Sequence, residues 1–243
     1  MSNFKLPESS QRADFVKNNF DAISKKYDLF NDINSFYMHR MWKNDIVKLI
    51  NKHSYSHFSC LDLCCGTGDI SLKILKKTKV EKLYAIDFSE NMLSIAKEKL
   101  SSFKNCELQI GDATNLKNFK HKSFDVVTMG FGLRNVDSIE ATLLEVHRVL
   151  KPGGIFINLD VGKVFNPLIK PFAYLYFFKI VPLIGYMIWG GKNEMFDYLP
   201  VSSIEYPDQR KLKDMLFEKG FVNVKYSEYV FGNAVLHHAY KPD

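Results

Sequence analysis

Along the middle of this chain, apolar residues fall into short unbroken runs. Each run is followed by a stretch whose apolar positions recur three or four residues apart. The runs predict strands at 60–64, 82–87, 106–111, 123–130 and 154–161, and the stretches between them predict helices at about 69–77, 90–103 and 138–150. Alternation of this kind builds a parallel sheet with helices on both faces, an α/β architecture. Lys151-Pro152-Gly153-Gly154 ends the last of these helices, because proline cannot continue it and glycine accepts a left-handed cap.

Both ends of the chain depart from the alternation. Phe15, Phe20, Ile23 and Tyr27 predict one helix over Asp14 to Phe30, and a second helix includes Met41 to Ile50. Late in the sequence Pro207 to Gly220 reads as a helix, followed by strands Val222 to Val230 and Ala234 to Tyr240 joined at Phe231-Gly232-Asn233. So short a link makes a hairpin, and the last strand must run antiparallel to its neighbours. Val164 to Gly191 fits neither pattern: it is rich in aromatic residues, carries Pro167, Pro171 and Pro182, and is interrupted by Lys170 and Lys179. No stretch in it reaches the roughly 18 continuous apolar residues of a membrane span, so it predicts broken helices forming a lid or a membrane-surface contact. The expected organisation is a single domain over 1–243, with an N-terminal helical cap at 1–52 and an aromatic helical insertion at 163–200.

Composition narrows this only modestly. At 243 residues with 46% hydrophobic and 25% charged residues, the chain can bury a substantial core. The net charge of +6 suits a negatively charged neighbour, lipid or nucleic acid, but is also ordinary for a cytosolic protein. Cys60, Cys64, Cys65 and Cys106 form no C-x-x-C pair, so buried thiols are expected rather than a metal site or disulfides. Met1 to Lys26 is polar and holds no apolar signal segment, so a cytoplasmic location is expected.

The chemistry concentrates where strands end. Cys60-Leu61-Asp62-Leu63-Cys64-Cys65-Gly66-Thr67-Gly68-Asp69 is a strand that breaks into a two-glycine turn and opens a helix. Such a turn offers a ligand bare backbone and unpaired N–H groups. The next strand ends on Asp87, an acid suited to the hydroxyls of a ribose. Ser71 stands where a dinucleotide fingerprint needs its third glycine, and no GxxxxGK[ST] phosphate loop exists. The remaining pattern, Leu-Asp-x-x-x-Gly-x-Gly-Asp, is the one used for S-adenosylmethionine, with Asp62 either reaching the cofactor's amino-acid end or holding its own loop.

Gly130-Phe131-Gly132-Leu133-Arg134-Asn135-Val136 closes the fourth strand, where ligands of an open parallel sheet gather. The Asn/Asp-Pro-Pro-aromatic motif of amino-group methylases and the Pro-Cys pair of RNA cytosine-carbon methylases are both absent from the chain. Arg134 and Asn135 are left, a cation and an amide suited to holding an oxyanion.

Phe131-Gly132-Leu133-Arg134-Asn135-Val136 closely resembles the signature of the quinone C-methyltransferases, which methylate demethylmenaquinol and its ubiquinone-pathway counterpart, the polyprenyl methoxybenzoquinol. The resemblance runs from about 14 to 241. It includes Tyr27-Asp28-x-x-Asn31-Asp32, His39-Arg40-x-Trp42-Lys43, Asp87-Phe88-Ser89-Glu90-Asn91-Met92-Leu93 and Arg148-Val149-Leu150-Lys151-Pro152-Gly153-Gly154. Tyr198-Leu199-Pro200, Pro207-Asp208-Gln209 and the ending with His237 belong to it too. The chain departs from the family at Tyr37, where glycine is common, at Cys64 and Cys65, at Asp160 in place of glutamate, and at Val201.

The resemblance implies a Rossmann-like class I S-adenosylmethionine methyltransferase with a seven-stranded, mostly parallel sheet whose last strand is antiparallel. It implies cofactor contacts at Thr67, Asp87, Asp112 and Ala113, joined in the same motifs by Asp62, Gly66, Gly68, Phe88, Met92 and Gly130. The implied reaction is C-methylation of a prenylated quinol, foremost demethylmenaquinol to menaquinol. Arg134 would stabilise the oxyanion and Asn135 would orient the ring, with Tyr27, His39 and Asp160 as candidates for the proton route. Peripheral contact with the inner face of a membrane and pairing into a homodimer are further expectations. The other readings are a methyltransferase for another hydrophobic phenol or sterol, and an RNA-directed methylase. The latter rests on charge alone, since no aromatic-basic RNA surface motif accompanies it, and no nucleic-acid partner is expected.

Overall fold

The computed structural model describes residues 9–53, 57–191 and 193–243, so residues 1–8 of the expected cap and Lys192 of the insertion lie outside it. Seven strands form one sheet: β1 (Phe58–Leu63), β2 (Val80–Asp87), β3 (Cys106–Ile110), β4 (Phe124–Gly130), β5 (Leu150–Val161), β6 (Val222–Tyr229) and β7 (Ala234–Tyr240). Their order is β3-β2-β1-β4-β5-β7-β6, and β7 runs antiparallel to both β5 and β6 while the other pairings are parallel. This is the predicted sheet, with one strand reversed.

Helices α4 (Asp69–Lys77), α5 (Glu90–Leu100), α6 (Ile139–Val149) and α10 (Gln209–Glu218) connect or flank the strands. Alternate strand residues feed two cores. Leu61, Leu63, Val127, Met129 and Phe156 pack with Val146 of α6 and Leu216 of α10. Cys60, Leu83, Val126 and Ile155 pack with Ile70 and Ile74 of α4, and with Ile46 and Ile50 of α3 (Met38–Lys52). Burial on both faces explains why the central strands read as unbroken apolar runs.

The N-terminal segment corrects one expectation. The single helix predicted over 14–30 is two, α1 (Ser9–Ile23) and α2 (Tyr27–Asn34), separated by a 3₁₀ turn at Ser24–Lys26. Ser24 Oγ donates to the Asp21 carbonyl, drawing the chain out of register at that turn. The helix predicted over 90–103 is shorter and ends at Leu100.

The insertion is also more regular than broken helices. Helices α7 (Lys170–Leu175) and α8 (Val181–Trp189) join through a π turn at Tyr176–Ile180 into one run. Pro182 has no N–H for the carbonyl a turn earlier, and the wider turn makes room for its ring. By length and composition this 20-residue run is apolar enough to cross a membrane, with mean hydropathy 1.5. It packs instead beside α2 and α9 (Glu194–Glu205). Phe20, Ile23 and Phe30 from the N-terminal helices join Val181, Phe196 and Tyr198 from the insertion in a third core. Cap and insertion thus share one packed body over the carboxyl ends of the strands.

Candidate active site

Two cavities open above those strand ends. The smaller, of 190 Å³, lies along the ends of β1, β2 and β4 and is lined by Gly66, Asp87, Phe88, Met92, Gly111, Asp112, Ala113, Gly130, Asn135, Val136 and Asp137, among others. The larger, of 560 Å³, lies under the cap and insertion and takes in Phe30, His39, Trp42, Thr67, Arg134, Phe172, Tyr176, Phe177 and Phe231. Phe20, Tyr27, Cys64, Gly66, Gly130 and Phe131 line both, so the two spaces meet at that wall.

The smaller cavity fits the cofactor read from the sequence. Gly66 is left-handed at φ 56°, and the space where its Cβ would stand is empty. Its N–H donates to Asp87 Oδ2 at 2.8 Å while Ser89 N donates to Oδ1 at 3.0 Å, which fixes the carboxylate at the end of β2. Burial pushes the Asp87 carboxyl up to about 6, against the pull of those N–H groups. Thr114 N and Oγ1 hold Asp112 in the same way at 2.8 and 2.6 Å. Three carboxylates and no lysine or arginine line this cavity, a set that suits hydroxyls and a cationic ligand and repels phosphate.

Several expected contacts stand behind this wall. Asp62 is wholly buried and accepts from Ser71 Oγ at 2.5 Å and Thr128 Oγ1 at 2.7 Å, and burial pushes its carboxyl up to about 6. It holds the β1 end to α4 and the neighbouring β4 and lies outside both linings. Gly68 caps α4 at φ 81°, and a Cβ there would press on Leu100 at 3.0 Å and Ala96 at 3.2 Å. Thr67 lines the larger cavity, with its hydroxyl given to Asp28 Oδ1 at 2.7 Å.

Arg134 sits in a 3₁₀ turn after β4 and is buried. Its Nη1 donates to Asp160 Oδ1 at 2.6 Å and its backbone N to Oδ2 at 3.2 Å; Val161 N also donates to Oδ1, at 2.8 Å. The expected proton-route role of Asp160 therefore meets a carboxylate already committed to a cation and two N–H groups. Asn135 donates to the Phe131 carbonyl at 3.0 Å and accepts from Tyr198 Oη at 3.1 Å, which locks its amide. Burial raises Tyr27, so its phenol keeps its proton at neutral pH. His39 is buried with Nε2 2.8 Å from Asp32, itself gripped by Arg40 at 2.7 and 2.6 Å. Burial and the nearby Lys43 lower His39, which favours the neutral imidazole.

A polar network missed by the sequence reading ties the cap to the cofactor loops. Lys99 of α5 donates to Asp28 at 2.8 Å and Asp69 at 2.6 Å, and Lys43 donates to Asp69 at 3.0 Å. Burial would raise Asp69, but the two ammonium groups outweigh it and hold the carboxyl far below its ordinary range. Asp21 of α1 accepts from Ser89 Oγ at 2.5 Å. Asp28 and Lys43 lie inside the motifs already singled out, which was the available signal.

A seven-stranded sheet with one reversed strand, carrying an acid-lined cleft at the glycine turn, defines an S-adenosylmethionine-dependent methyltransferase. Solved structures share the fold. An S-adenosylmethionine-dependent methyltransferase from Thermotoga maritima superposes with TM-score 0.62 at 19% identity, covering 93% of this chain and 99% of its own. Phosphoethanolamine N-methyltransferase 2 of Haemonchus contortus, solved with S-adenosyl-L-methionine, gives TM-score 0.57 at 15% identity over 76% of this chain and 49% of its own. The chain belongs to the ubiE/COQ5 methyltransferase family, whose profile matches residues 7–241. It is 55% identical to a demethylmenaquinone methyltransferase of Leptospira interrogans, across 100% of this chain and 98% of that one. A demethylmenaquinone methyltransferase of Staphylococcus epidermidis is 38% identical, with 97% of each chain covered.

Proposed function

We propose that this enzyme methylates a ring carbon of a prenylated quinol, with demethylmenaquinol as the substrate. One observation carries the reading: an acid-lined cleft and a larger, mainly apolar cavity meet at a shared wall beside a buried arginine. The relatives named as demethylmenaquinone methyltransferases support the choice of ring.

Bound S-adenosylmethionine supplies an electrophilic methyl group. In this reading Asp87 takes the ribose hydroxyls, Asp112 and Ala113 take the adenine edge, and Phe88, Met92 and Val136 enclose it. Phe20, Tyr27 and Phe131 hold the quinol ring at the junction, and the insertion covers the tail. A ring carbon becomes nucleophilic when a neighbouring hydroxyl loses its proton, so the protein's task is to orient the ring and stabilise the oxyanion. Arg134 performs the second task from the wall of the larger cavity, and Asn135, locked between Phe131 and Tyr198, shapes the ring site. Of the proton-route candidates His39 fits best: burial favours its neutral form, Asp32 orients it, and its Nδ1 has no partner among the described residues. A substrate of this kind resides in a bilayer, so the reading includes contact with a lipid surface.

Purified enzyme with S-adenosylmethionine should methylate demethylmenaquinol at least about a hundredfold faster than a soluble phenol of similar acidity, a gap that near-attack positioning readily supplies. Equal rates, or preference for the benzoquinol counterpart, would overturn the assignment of the ring.

A further inference from the structure

We propose that the enzyme docks on an anionic bilayer through one continuous apolar face, and that the larger cavity opens within that face. The choice of a bilayer rests on the quinol reading above.

The face begins with the insertion. Leu168, Phe172, Leu175, Leu183 and Met187 are exposed, Leu168 by 79% and Met187 by 75%, and from Phe172 they recur along one side of the helical run 170–189. In the second half of the run the opposite side is occupied: Val181, Pro182 and Gly185 are buried, with Gly185 so close to the Phe196 ring that a Cβ would stand 2.4 Å from it. Tyr176 Oη ties the same run to the Asn34 carbonyl at 2.7 Å. A helix fastened at Tyr176 and through its second half lies on a membrane rather than crossing it.

Two loop tips extend the face. Phe36 and Tyr37, between α2 and α3, both have left-handed backbone at φ 48° and 62°. Val230 and Phe231, between β6 and β7, do the same at φ 47° and 58°. Phe36 is 71% exposed and Phe231 66%. Each tip therefore pays twice in water, once in backbone strain and once in exposed apolar surface. An apolar phase over the tips removes the second cost. Phe36, Phe172 and Phe231 also line the larger cavity, so its mouth and the apolar face are one surface.

Charge selects the occupant. From residue 161 to 191 the sequence holds no aspartate or glutamate; Lys170 and Lys179 are exposed, while Lys163 gives its ammonium to the Ser203 and Ile204 carbonyls. A second copy applied to this face would set lysine against lysine, whereas anionic headgroups complement it. A quinol could then slide its ring from the bilayer into the cavity while its tail stays in lipid, never crossing water.

The test is sedimentation of the full chain with phosphatidylcholine vesicles, with and without phosphatidylglycerol. Binding should strengthen about tenfold or more with the anionic lipid. The double variant Leu168→Ser/Met187→Ser, outside the cavity lining, should lose at least about tenfold in vesicle binding while turnover of a short-tailed, water-soluble quinol stays unchanged. Phe231→Gly should also weaken vesicle binding while its melting temperature holds or rises, since glycine accepts the positive φ. Undiminished vesicle binding by these variants overturns the proposal. So does concentration-dependent pairing of the chain in place of any vesicle binding. A chain that turns over short-tailed demethylmenaquinol but never binds vesicles refutes the docking face and leaves the substrate reading standing. Vesicle binding that the variants lose, with no turnover of any quinol, upholds the face and refutes the substrate.

Discussion

Replacing Arg134 by methionine tests two roles at once, and the structure shows how to separate them. The guanidinium and its partner are both buried, with Nη1 2.6 Å from Asp160 Oδ1. Methionine keeps most of the side chain's volume but leaves Asp160 as a buried carboxylate held only by the N–H groups of Arg134's own backbone and Val161. Breaking such a pair typically costs about 3–5 kcal/mol. A domain of this kind holds about 5–15 kcal/mol in total. Arg134→Met should therefore lose about a fifth or more of its stability, and part of any activity loss would be unfolding.

The double variant Arg134→Met/Asp160→Asn removes the orphaned charge. The two backbone N–H groups bond different carboxylate oxygens and the amide oxygen can accept from one of them, so its stability by urea denaturation should recover in part, to within about 1–3 kcal/mol of the parent. Turnover should not return. If Arg134 stabilises the oxyanion, single-turnover rates with quinol and saturating S-adenosylmethionine should stay down by about 10²–10³, equivalent to about 3–4 kcal/mol. Cofactor affinity should remain within a few-fold, because Arg134 lines the larger cavity and not the smaller one. A folded double variant with the parent's rate would reduce Arg134 to a structural ion pair.

Two other outcomes follow from contacts in the structure. Asp87 sits near 6 against an ordinary 3.8, so its contribution to folding is present below about 3.8 and is lost as pH rises through 6. Cofactor affinity moves oppositely, because the ribose needs the carboxylate. By calorimetry it should weaken toward about tenfold per pH unit below 6, and Asp87→Asn should be weaker throughout and flat; a parent with flat affinity would remove Asp87 from the ribose. Gly185→Ala places a methyl 2.4 Å from the Phe196 ring, so thermal unfolding should show about 1–3 kcal/mol of overpacking, with the rate on long-tailed quinol falling more than cofactor affinity; an unchanged melting curve would refute the close packing.

Most of the sheet was legible because its signals are local. Apolar runs, the two-glycine turn and the tight link before β7 each act within a few residues, and each specified its element. The pairing of Arg134 with Asp160 was not legible: it joins residues 26 apart and depends on β4 lying beside β5 in the register Gly130 to Leu159. The grip of Asp28 on Thr67 and of Asp21 on Ser89 spans 39 and 68 residues, so no periodicity could reveal it. The break in the N-terminal helix was hidden differently. Phe20, Ile23 and Tyr27 keep helical spacing across it, and Phe20 and Tyr27 still meet edge to ring at 5.8 Å, so the pattern survives the turn that interrupts it.

The distribution of backbone strain links these features to function. Among the described residues eight besides glycine have positive φ: Phe36, Tyr37, Cys64, Lys122, Phe131, Asn223, Val230 and Phe231. Lys122 falls in the turn before β4, and Asn223 lies in β6 where its register against β7 shifts between Val222 and Lys225. Cys64 and Phe131 belong to the wall where the two cavities meet. The other four form the two apolar tips beside the larger cavity's mouth. Ordinary loops relieve such strain with glycine, and this chain does so at Gly66, Gly68, Gly153, Gly190, Gly220 and Gly232. Where it keeps a thiol, a valine or an aromatic ring instead, the side chain must be worth more than the relief. At the junction that worth is a close wall: the Cβ that Gly132 lacks would stand 2.4 Å from Cys64, so the turns after β1 and β4 pack tightly only with this pairing of a side chain and a glycine. At the mouth the contacts are partial, Phe36 beside Tyr176 at 6.4 Å and Arg40 over Tyr37 at 5.4 Å, and the rings stay largely exposed, which is the cost that the proposed docking face would offset.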